Sequence, residues 1–306
     1  MSELPKLKTE ITKYRYPLRG YLFIVGTAFF TALSYVFGKS VNKNLNPETV
    51  TFFWFSGAAF FSMLTSIMIP SQRSELRCVR KYLAIFVMSS VVTAIGSALW
   101  IISLRTIGPP LTSFLMKSQT LFSLFLGIVF LDERLNRWET VGIILTIAGG
   151  LIVAYQREVS LILGTLVALL AAFFYSLLSF LIKRFAHHLN MFTVANLRSL
   201  GVTVVLFVYL MATGRFQTPG VRDLTFMILG GVTGAYIAKA SQFESIKLIG
   251  VSQSTAVMSL ESLFVVIFSY LFFNDLPSAI KLVGGVGTLI GVVFLIIFRG
   301  QRTASI

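Results

Sequence analysis

Ten apolar runs follow one another along the chain, each separated from the next by a short polar gap. A helix needs about 20 apolar residues to cross the hydrocarbon core of a bilayer, and each run approaches or exceeds that length. All eight prolines lie at or outside the ends of the runs, where they do not break a helix. The pattern predicts ten transmembrane helices, near residues 19–41, 47–69, 80–104, 109–130, 137–155, 159–182, 192–213, 222–247, 252–273 and 279–298.

The sequence also matches itself, because a shift of 144 positions places its first part on its second part. The match includes polar residues and glycine as well as apolar residues: Gly20, Ala28, Lys39 and Asn46 fall on Gly164, Ala172, Lys183 and Asn190. From the third run onward the shift is 142, and it carries Ile107, Gly108, Gly142, Thr146 and Gly149 onto Ile249, Gly250, Gly284, Thr288 and Gly291. The register has no gaps within either stretch, which is more than apolar helices match by chance.

Each half holds five predicted helices, an odd number, so the second half enters the membrane from the opposite side and the repeats are inverted. The expected fold is therefore an all-α integral membrane protein. It has a cytoplasmic segment 1–18, a first five-helix repeat 19–155, a second repeat 159–298 and a cytoplasmic tail 299–306. Inverted repeats around a site at the bilayer midplane are typical of alternating-access transporters, although channels also contain them.

Composition agrees with a membrane domain, since 56% of the residues are hydrophobic, 12% are charged and the mean hydropathy is +0.83. A soluble domain of this length could not bury that much apolar surface. The formal net charge is +14, but the basic residues lie in short gaps and form no contiguous stripe. We therefore expect a lipid bilayer and a small-molecule substrate as partners, and no nucleic acid.

Lysine and arginine are unevenly divided between the two sides of the predicted bundle. Sixteen lie on the side shared with the termini, and seven lie on the other side. The positive-inside rule therefore predicts a multi-pass protein of the cytoplasmic membrane with both termini in the cytoplasm. The first run is expected to be a retained helix and not a cleaved signal peptide. The remaining basic residues, Lys117, Arg198 and Lys239, lie inside membrane runs.

A charge near the bilayer centre costs at least about 2.5–3.5 kcal/mol on insertion scales, so it should face a partner or a cavity. Lys117 and Glu261 are both deep in their runs, and the repeat superposes Lys117 on Ser259 and Gln119 on Glu261. We therefore expect these residues, with Ser118, to face one another near the axis between the halves. In a substrate site, Lys117 would anchor an anionic group, while Glu261 would bind an amine or carry a proton. The alternative is a buried ion pair that only fixes helix packing.

Two more basic residues are candidates for the same site. Tyr236, Lys239 and Gln242 are spaced by one helical turn and share a face of the eighth run. Lys239 is expected either to meet the substrate or Glu261, or to serve packing. Arg198, the seventh residue of its run, either lines the site or extends toward the lipid headgroups.

Several other residues have a predicted role in binding or packing. Tyr35, Trp54 and Trp100 are candidates for stacking on the substrate, although aromatic residues in membrane helices more often pack or anchor at the interface. Glu244 and Lys247 are expected to form an ion pair near a helix end. The glycines of the fifth and tenth helices permit close helix approach, either between the halves or in a homodimer.

Enzymatic chemistry is not expected from this sequence. An enzyme would need a nucleophile with a base, or a cluster of carboxylates and histidines at membrane depth, and the sequence contains none. The single cysteine, Cys78, excludes a disulfide within the chain. His187 and His188 have no third ligand nearby in sequence, so we expect no metal site and no catalytic residues.

Two stretches, 108–150 and 250–291, resemble the EamA-type branch of the drug/metabolite transporter superfamily. Glu261 matches the acidic position of the family pattern, while Glu133 and Asp275 match the acidic residues that close the fourth and ninth helices. The chain departs from the pattern at Thr120 and Ser262, where the family has proline. The resemblance implies carriage or export of small polar metabolites across the cytoplasmic membrane without an organic cofactor.

Three functions remain open at this point. The first is a secondary exporter of amino-acid-like or other small charged metabolites, driven by protons or acting as a facilitator. The second is a carrier of phosphate- or carboxylate-bearing solutes, which the surplus of deep basic residues would suit. The third is a membrane scaffold that transports nothing, although a scaffold would not need a polar cluster at the midplane.

Overall fold

The computed structural model describes residues 4–68, 83–131, 137–155, 159–185 and 191–303, and these residues form helices joined by short connections. We number the helices in chain order: α1 Leu4–Ser40, α2 Pro47–Met68, α3 Leu83–Met116, α4 Ser118–Leu131, α5 Arg137–Ala154, α6 Val159–Phe185, α7 Met191–Thr213, α8 Val221–Gly230, α9 Ala238–Ile249, α10 Val251–Met258, α11 Leu260–Phe273 and α12 Ala279–Thr303. A π-helical segment, Gly231–Ile237, joins α8 to α9.

Eight stretches of the described residues are long and apolar enough to cross a membrane: Leu18–Ser40, Pro47–Met68, Leu83–Met116, Leu161–Leu181, Thr193–Thr213, Val221–Ile249, Gln253–Phe273 and Ala279–Ile297. A shorter apolar helix covers Ser118–Phe130. The predicted all-α, multi-pass membrane fold is therefore confirmed, but the count of ten is not reproduced. One reason is that α3 includes both the third predicted helix and the start of the fourth, with a non-helical residue, Gly108, inside it.

Two glycines with positive φ mark equivalent turns in the two halves. Gly108 has φ 80° and ψ 165°, and Gly250 has φ 84° and ψ 165°. This backbone conformation strongly favours glycine, because a side chain would clash with the backbone. A hydrogen bond between two hydroxyl groups spans each turn: Ser103 and Thr112 are 2.8 Å apart, and Ser245 and Ser254 are 2.7 Å apart. All these positions correspond under the shift of 142, so the repeat in the sequence is also a repeat in the structure.

The contacts between helices follow the same equivalence. Helix α1 packs on α9, and its counterpart α6 packs on α3, while α11 packs on α1 and α4 packs on α6. Helix α3 packs on α7, and in the same way α2 packs on α8 and the π-helical segment. Two further large contacts join counterparts directly, with α2 against α7 and α5 against α12. The largest contacts thus either have a mate in the other half or lie between two equivalent helices, which is the pattern that a pseudo-two-fold axis produces.

Helices α5 and α12 pack through their glycines. A methyl group at Gly142 would lie 2.9 Å from the carbonyl oxygen of Gly291, and one at Gly149 would lie 2.5 Å from that of Gly284. The first glycine of each helix therefore meets the second glycine of the other, so the two helices run antiparallel, as inverted repeats require. The predicted packing role applies within one chain, between the halves. A homodimer through these helices stays a prediction.

A network of polar contacts joins the helices at the end of the bundle where α1 finishes, which we call the Lys39 end. Lys39 Nζ forms an ion pair with Asp275 Oδ2, which places the last residues of α1 and α11 at the same end. Arg105 of α3 donates hydrogen bonds to carbonyl oxygens of residues 42, 43 and 45. The backbone N–H of Asn42 donates to Asp223 of α8. Parts of both halves therefore meet at this end.

The glycine packing gives a prediction about stability. Replacing Gly149 with Ala puts a methyl group against the Gly284 carbonyl and Thr288 Oγ1, 2.5 and 2.7 Å away. Because overpacking costs about 1–3 kcal/mol, we expect the melting temperature of the purified protein in detergent to fall by several degrees. Gly150→Ala is the control, since a methyl group there meets no atom within 4 Å. Equal melting temperatures for the two variants would contradict the close contact between α5 and α12.

Candidate functional site

A second irregularity interrupts the helix about two turns after each glycine turn. Both irregularities lie in the interior of the bundle and carry a polar residue. Lys117 separates α3 from α4, and its N–H donates to the Phe114 carbonyl oxygen three residues earlier. The equivalent residue, Ser259, separates α10 from α11, and its N–H donates to the Ala256 carbonyl oxygen in the same way. The backbone at Ser259 stays in the right-handed helical region, with φ −60° and ψ −22°. Each break is therefore a local tightening of the helix at a polar residue, of the kind that often marks a functional hinge.

An ion pair joins the two breaks. Lys117 Nζ lies 2.9 Å from Glu261 Oε2, and the two side chains are only 13% and 9% exposed. Lys117 follows the C-terminal end of α3, and Glu261 is in the first turn of α11. Each residue therefore lies at the junction of two consecutive helices. The predicted contact between Lys117 and Glu261 is present, and it connects the first half of the chain to the second.

Three aromatic side chains lie close to this pair. The Tyr35 and Trp100 rings meet edge to face with centroids 5.1 Å apart, and the Trp54 and Trp100 rings do so at 5.5 Å. Tyr35 interacts electrostatically with Glu261, whereas the Trp54 ring fills the space left by Gly230. The three candidates for stacking therefore form one buried cluster, in which Tyr35 is the member that reaches the acid.

Two more basic residues complete the site. Arg198 is 8% exposed, its guanidinium lies 5.9 Å from the centre of the Phe55 ring, and its Nε has no hydrogen-bond partner among the described residues. Lys239 Nζ donates to Gln242 Oε1 at 3.0 Å. Lys239 is also within electrostatic range of Arg198, Glu261 and Lys117. Of the two positions predicted for Arg198, the structure shows the buried one and not an extension toward the headgroups.

Two other predicted site residues have partners on neighbouring helices. Gln119 Nε2 approaches the Tyr175 carbonyl oxygen and Ser179 Oγ on α6, both at 3.4 Å. The Tyr236 ring stacks on Phe61 of α2, with centroids 6.4 Å apart. The placement of Gln119 and Tyr236 in the binding site therefore stays a prediction. The ion pair predicted between Glu244 and Lys247 is present at 2.7 Å.

Tyr175 is the residue that sequence reasoning missed. Its hydroxyl group shares a hydrogen bond of 2.7 Å with Ser97. It interacts electrostatically with Arg198 on one side and with Tyr35 on the other. A tyrosine in the middle of an apolar run, beside Ser176 and Ser179, was the available signal. Tyr175 links the basic residues to the aromatic cluster.

Some candidates lie outside the described residues, namely Cys78, Glu133, His187 and His188. Within the described residues, no group of three or more histidine, cysteine, aspartate or glutamate side chains is arranged to hold a metal ion. The site therefore consists of one ion pair, two further cations, and tyrosine and tryptophan rings. Such a set can bind a small charged molecule.

Comparisons with known proteins agree with this architecture. The model of the EamA-like transporter family matches the chain twice, over residues 18–155 and 162–297. An uncharacterized transporter of Methanothermobacter thermautotrophicus is 24% identical over 94% of this chain and 89% of its own length. The uncharacterized transporter YdfC of Bacillus subtilis is 24% identical over 76% of this chain and 75% of its own length. A solved structure titled "Crystal structure of protein" shares the fold, with a TM-score of 0.63 at 13% identity, over 94% of this chain and 99% of that one.

The buried ion pair predicts strong coupling between its two residues. Loss of one partner leaves a buried charge alone and costs about 3–5 kcal/mol, so Lys117→Met and Glu261→Gln should each lower the melting temperature. Glu261→Gln should have the larger effect, because Glu261 is the acid that attracts both Lys117 and Lys239. The double variant should lose less stability than the sum of the two single losses, because it leaves no unpaired charge at the Lys117 position.

The matched control is the exposed pair Glu244 and Lys247, whose side chains are 41% and 55% exposed. Glu244→Gln, Lys247→Met and their double variant should each change stability by less than about 1 kcal/mol. Additive losses for Lys117 and Glu261 in a double-mutant cycle would show that the two charges do not interact.

Proposed function

The chain belongs to the EamA-like transporter family, and we propose that it exports small polar or charged metabolites, amino-acid-like solutes in particular, by alternating access. The observation that carries the proposal is the ion pair between Lys117 and Glu261 at the two interrupted helices. Transporters with inverted repeats commonly bind their substrate at such interruptions near the bilayer midplane. The pair lies where the two halves meet, so movement of one half against the other changes its surroundings.

The pair also suits one kind of substrate. A solute with an ammonium and a carboxylate can enter between the two residues, so that its carboxylate meets Lys117 and its ammonium meets Glu261. Every charge then keeps an opposite partner, which offsets the cost of removing these charges from water. A solute with neither group would leave the original pair intact and gain little. A small zwitterion is therefore the substrate type that this site favours.

Alternating access requires each end of the bundle to open in turn. At the Lys39 end, the ion pair between Lys39 and Asp275 connects α1 of the first half to α11 of the second. Opening at that end would separate these residues and the neighbouring contacts of Arg105 with residues 42–45. Glu261 is the candidate proton carrier for coupling, since its partner can change during the cycle.

A second candidate is a carrier of phosphate- or carboxylate-bearing solutes. Glu261 balances Lys117, whereas Arg198 and Lys239 lie in the same electrostatic group and add two further positive charges. An anion would find complementary charge there. A third candidate, a scaffold without transport, has no specific contact in its favour among the described residues.

Flux measurements in sealed proteoliposomes test these functions. We expect efflux of one or more labelled amino acids from a panel that also contains carboxylates and phosphate esters. Because Glu261 would meet the solute directly, Glu261→Gln should lower the rate by about tenfold or more. Glu244→Gln, which removes an acid from the same half, should leave the rate unchanged. A Glu261→Gln variant with normal flux and unchanged pH dependence would exclude the proton-carrier role, and no flux over the whole panel would favour the scaffold.

We also propose that both termini lie in the cytoplasm and that the Lys39 end faces outward. The support is the excess of basic residues on the side of the termini. Lys43, an exposed residue between α1 and α2, would then lie outside. In intact cells, a membrane-impermeant maleimide should label a Lys43→Cys, Cys78→Ser variant.

The parent chain is the control for this topology, since its single cysteine, Cys78, follows the second apolar run and is predicted to be cytoplasmic. It should react only after the cells are permeabilised. Labelling of Cys78 and protection of Lys43→Cys in intact cells would reverse the proposed orientation.

A further inference from the structure

Arg198, which is buried, and Lys239, which is half-buried, are two positive charges that the zwitterion site does not use. Arg198 is 8% exposed, and its Nε has no hydrogen-bond partner within the part of the chain that the structure describes. Its guanidinium contacts the face of Phe55, which cannot supply a negative charge. A charge inside a membrane protein is costly unless a partner offsets that cost. Packing therefore does not account for an arginine at this position.

Lys239 is also incompletely paired. Its Nζ donates one hydrogen bond, to the neutral amide oxygen of Gln242. Lys117 and Arg198 repel it electrostatically, and Glu261 is the acid that attracts it. Since Glu261 already pairs with Lys117 at 2.9 Å, one carboxylate serves both lysines. The described part of the site is therefore short of negative charge even when its one ion pair is complete.

The local backbone around Lys239 is unusual. The π-helical segment Gly231–Ile237 ends just before it, and π-helical turns occur frequently at functional sites. The segment packs tightly on α2, because a Cβ at Gly231 would meet the backbone carbonyl of Trp54. Trp54 is the counterpart of Arg198 under the shift of 144. The segment that leads into Lys239 is therefore held against α2 by close packing.

Two tyrosines connect this pair of cations to the ion pair. Tyr175 is within electrostatic range of Arg198 and of Tyr35, and Tyr35 is within range of Glu261. The hydroxyl group of Tyr175 is held by Ser97 at 2.7 Å. A molecule between Lys117 and Glu261 therefore belongs to the same electrostatic group as the two tyrosines and the two cations.

We infer that Arg198 and Lys239 bind a second anionic group of the solute, so that the substrate class is amino-acid-like metabolites with an additional carboxylate or phosphate. This inference rests on the proposed function, because it assumes that the zwitterionic part of the solute occupies Lys117 and Glu261. The solute then brings two negative charges and one positive charge to a site with three positive charges and one negative charge. The second anionic group accepts charge-assisted hydrogen bonds from Arg198 and Lys239.

Paired solutes that differ in one anionic group test this inference. Binding is measured by thermal stabilisation of the purified full chain, and flux is measured in proteoliposomes, with L-glutamate against L-glutamine and O-phospho-L-serine against L-serine. We expect the anionic member of at least one pair to bind about tenfold tighter or more, since a hydrogen bond to a charged group is worth about that factor. The pair that shows the preference identifies the anionic group as a carboxylate or a phosphate.

Substitutions then assign the preference to residues. Arg198→Gln and Lys239→Gln should each reduce the preference to less than about threefold, which removes most of a tenfold factor. Arg215→Gln is the control, because Arg215 lies at the Lys39 end with a side chain that is 59% exposed, and this variant should keep the preference. Lys239→Gln without solute should also melt at a higher temperature than the parent chain, because it removes a charge that its neighbours repel.

The outcomes separate the two hypotheses. Transport of glutamate and glutamine, and of phosphoserine and serine, with equal affinities would overturn the second anionic group and leave the proposed function standing. A preference for the anionic solutes that persists in both Arg198→Gln and Lys239→Gln would likewise overturn the second anionic group and leave the proposed function standing. No binding or flux of any amino acid would overturn the proposed function, and this inference with it. A lower melting temperature for Lys239→Gln without solute would show that Lys239 stabilises the fold, which contradicts a lysine reserved for the solute.

Discussion

A charge in the interior of a membrane bundle needs an opposite charge beside it, and this constraint determines the centre of the molecule. The ion pair between Lys117 and Glu261 meets it, because each side chain offsets the cost of burying the other. The pair lies at the two positions, Lys117 and Ser259, where the helices tighten to i→i−3 hydrogen bonds. The aromatic cluster and the other cations are arranged around that pair.

Much of the fold could be predicted from the sequence. The bilayer sets the length of the apolar runs, and the backbone turns require glycine at equivalent positions. Gly108 and Gly250 match in the sequence and adopt the same ψ and nearly the same φ in the structure. The helix count was less accessible, since a turn at Gly108 does not interrupt the apolar run around it. Hydropathy measures the length of apolar segments, whereas the number of crossings depends on where the backbone turns.

Only part of the site could be predicted, because the sequence gives the depth of a side chain in the membrane but not its partners on other helices. The depth of Lys117 and Glu261 followed from their positions in the runs, and the repeat axis brought them together. The hydrogen bonds of Gln119 and the ring contact of Tyr236 did not follow, because their partners come from other helices, α6 and α2. Tyr175 was overlooked because its role depends on neighbours from other helices.

The two members of the ion pair come from different halves, and this has a consequence for how such a chain can be assembled. Under the shift of 142, Lys117 corresponds to Ser259 and Gln119 corresponds to Glu261. A symmetric dimer made from two copies of the first half would set each lysine against a glutamine, and one made from two copies of the second half would set each glutamate against a serine. The first assembly would carry two deep lysines without a deep acid, whereas the second would leave Lys239 as the cation that attracts each glutamate. The two halves are therefore complementary at this site and not interchangeable.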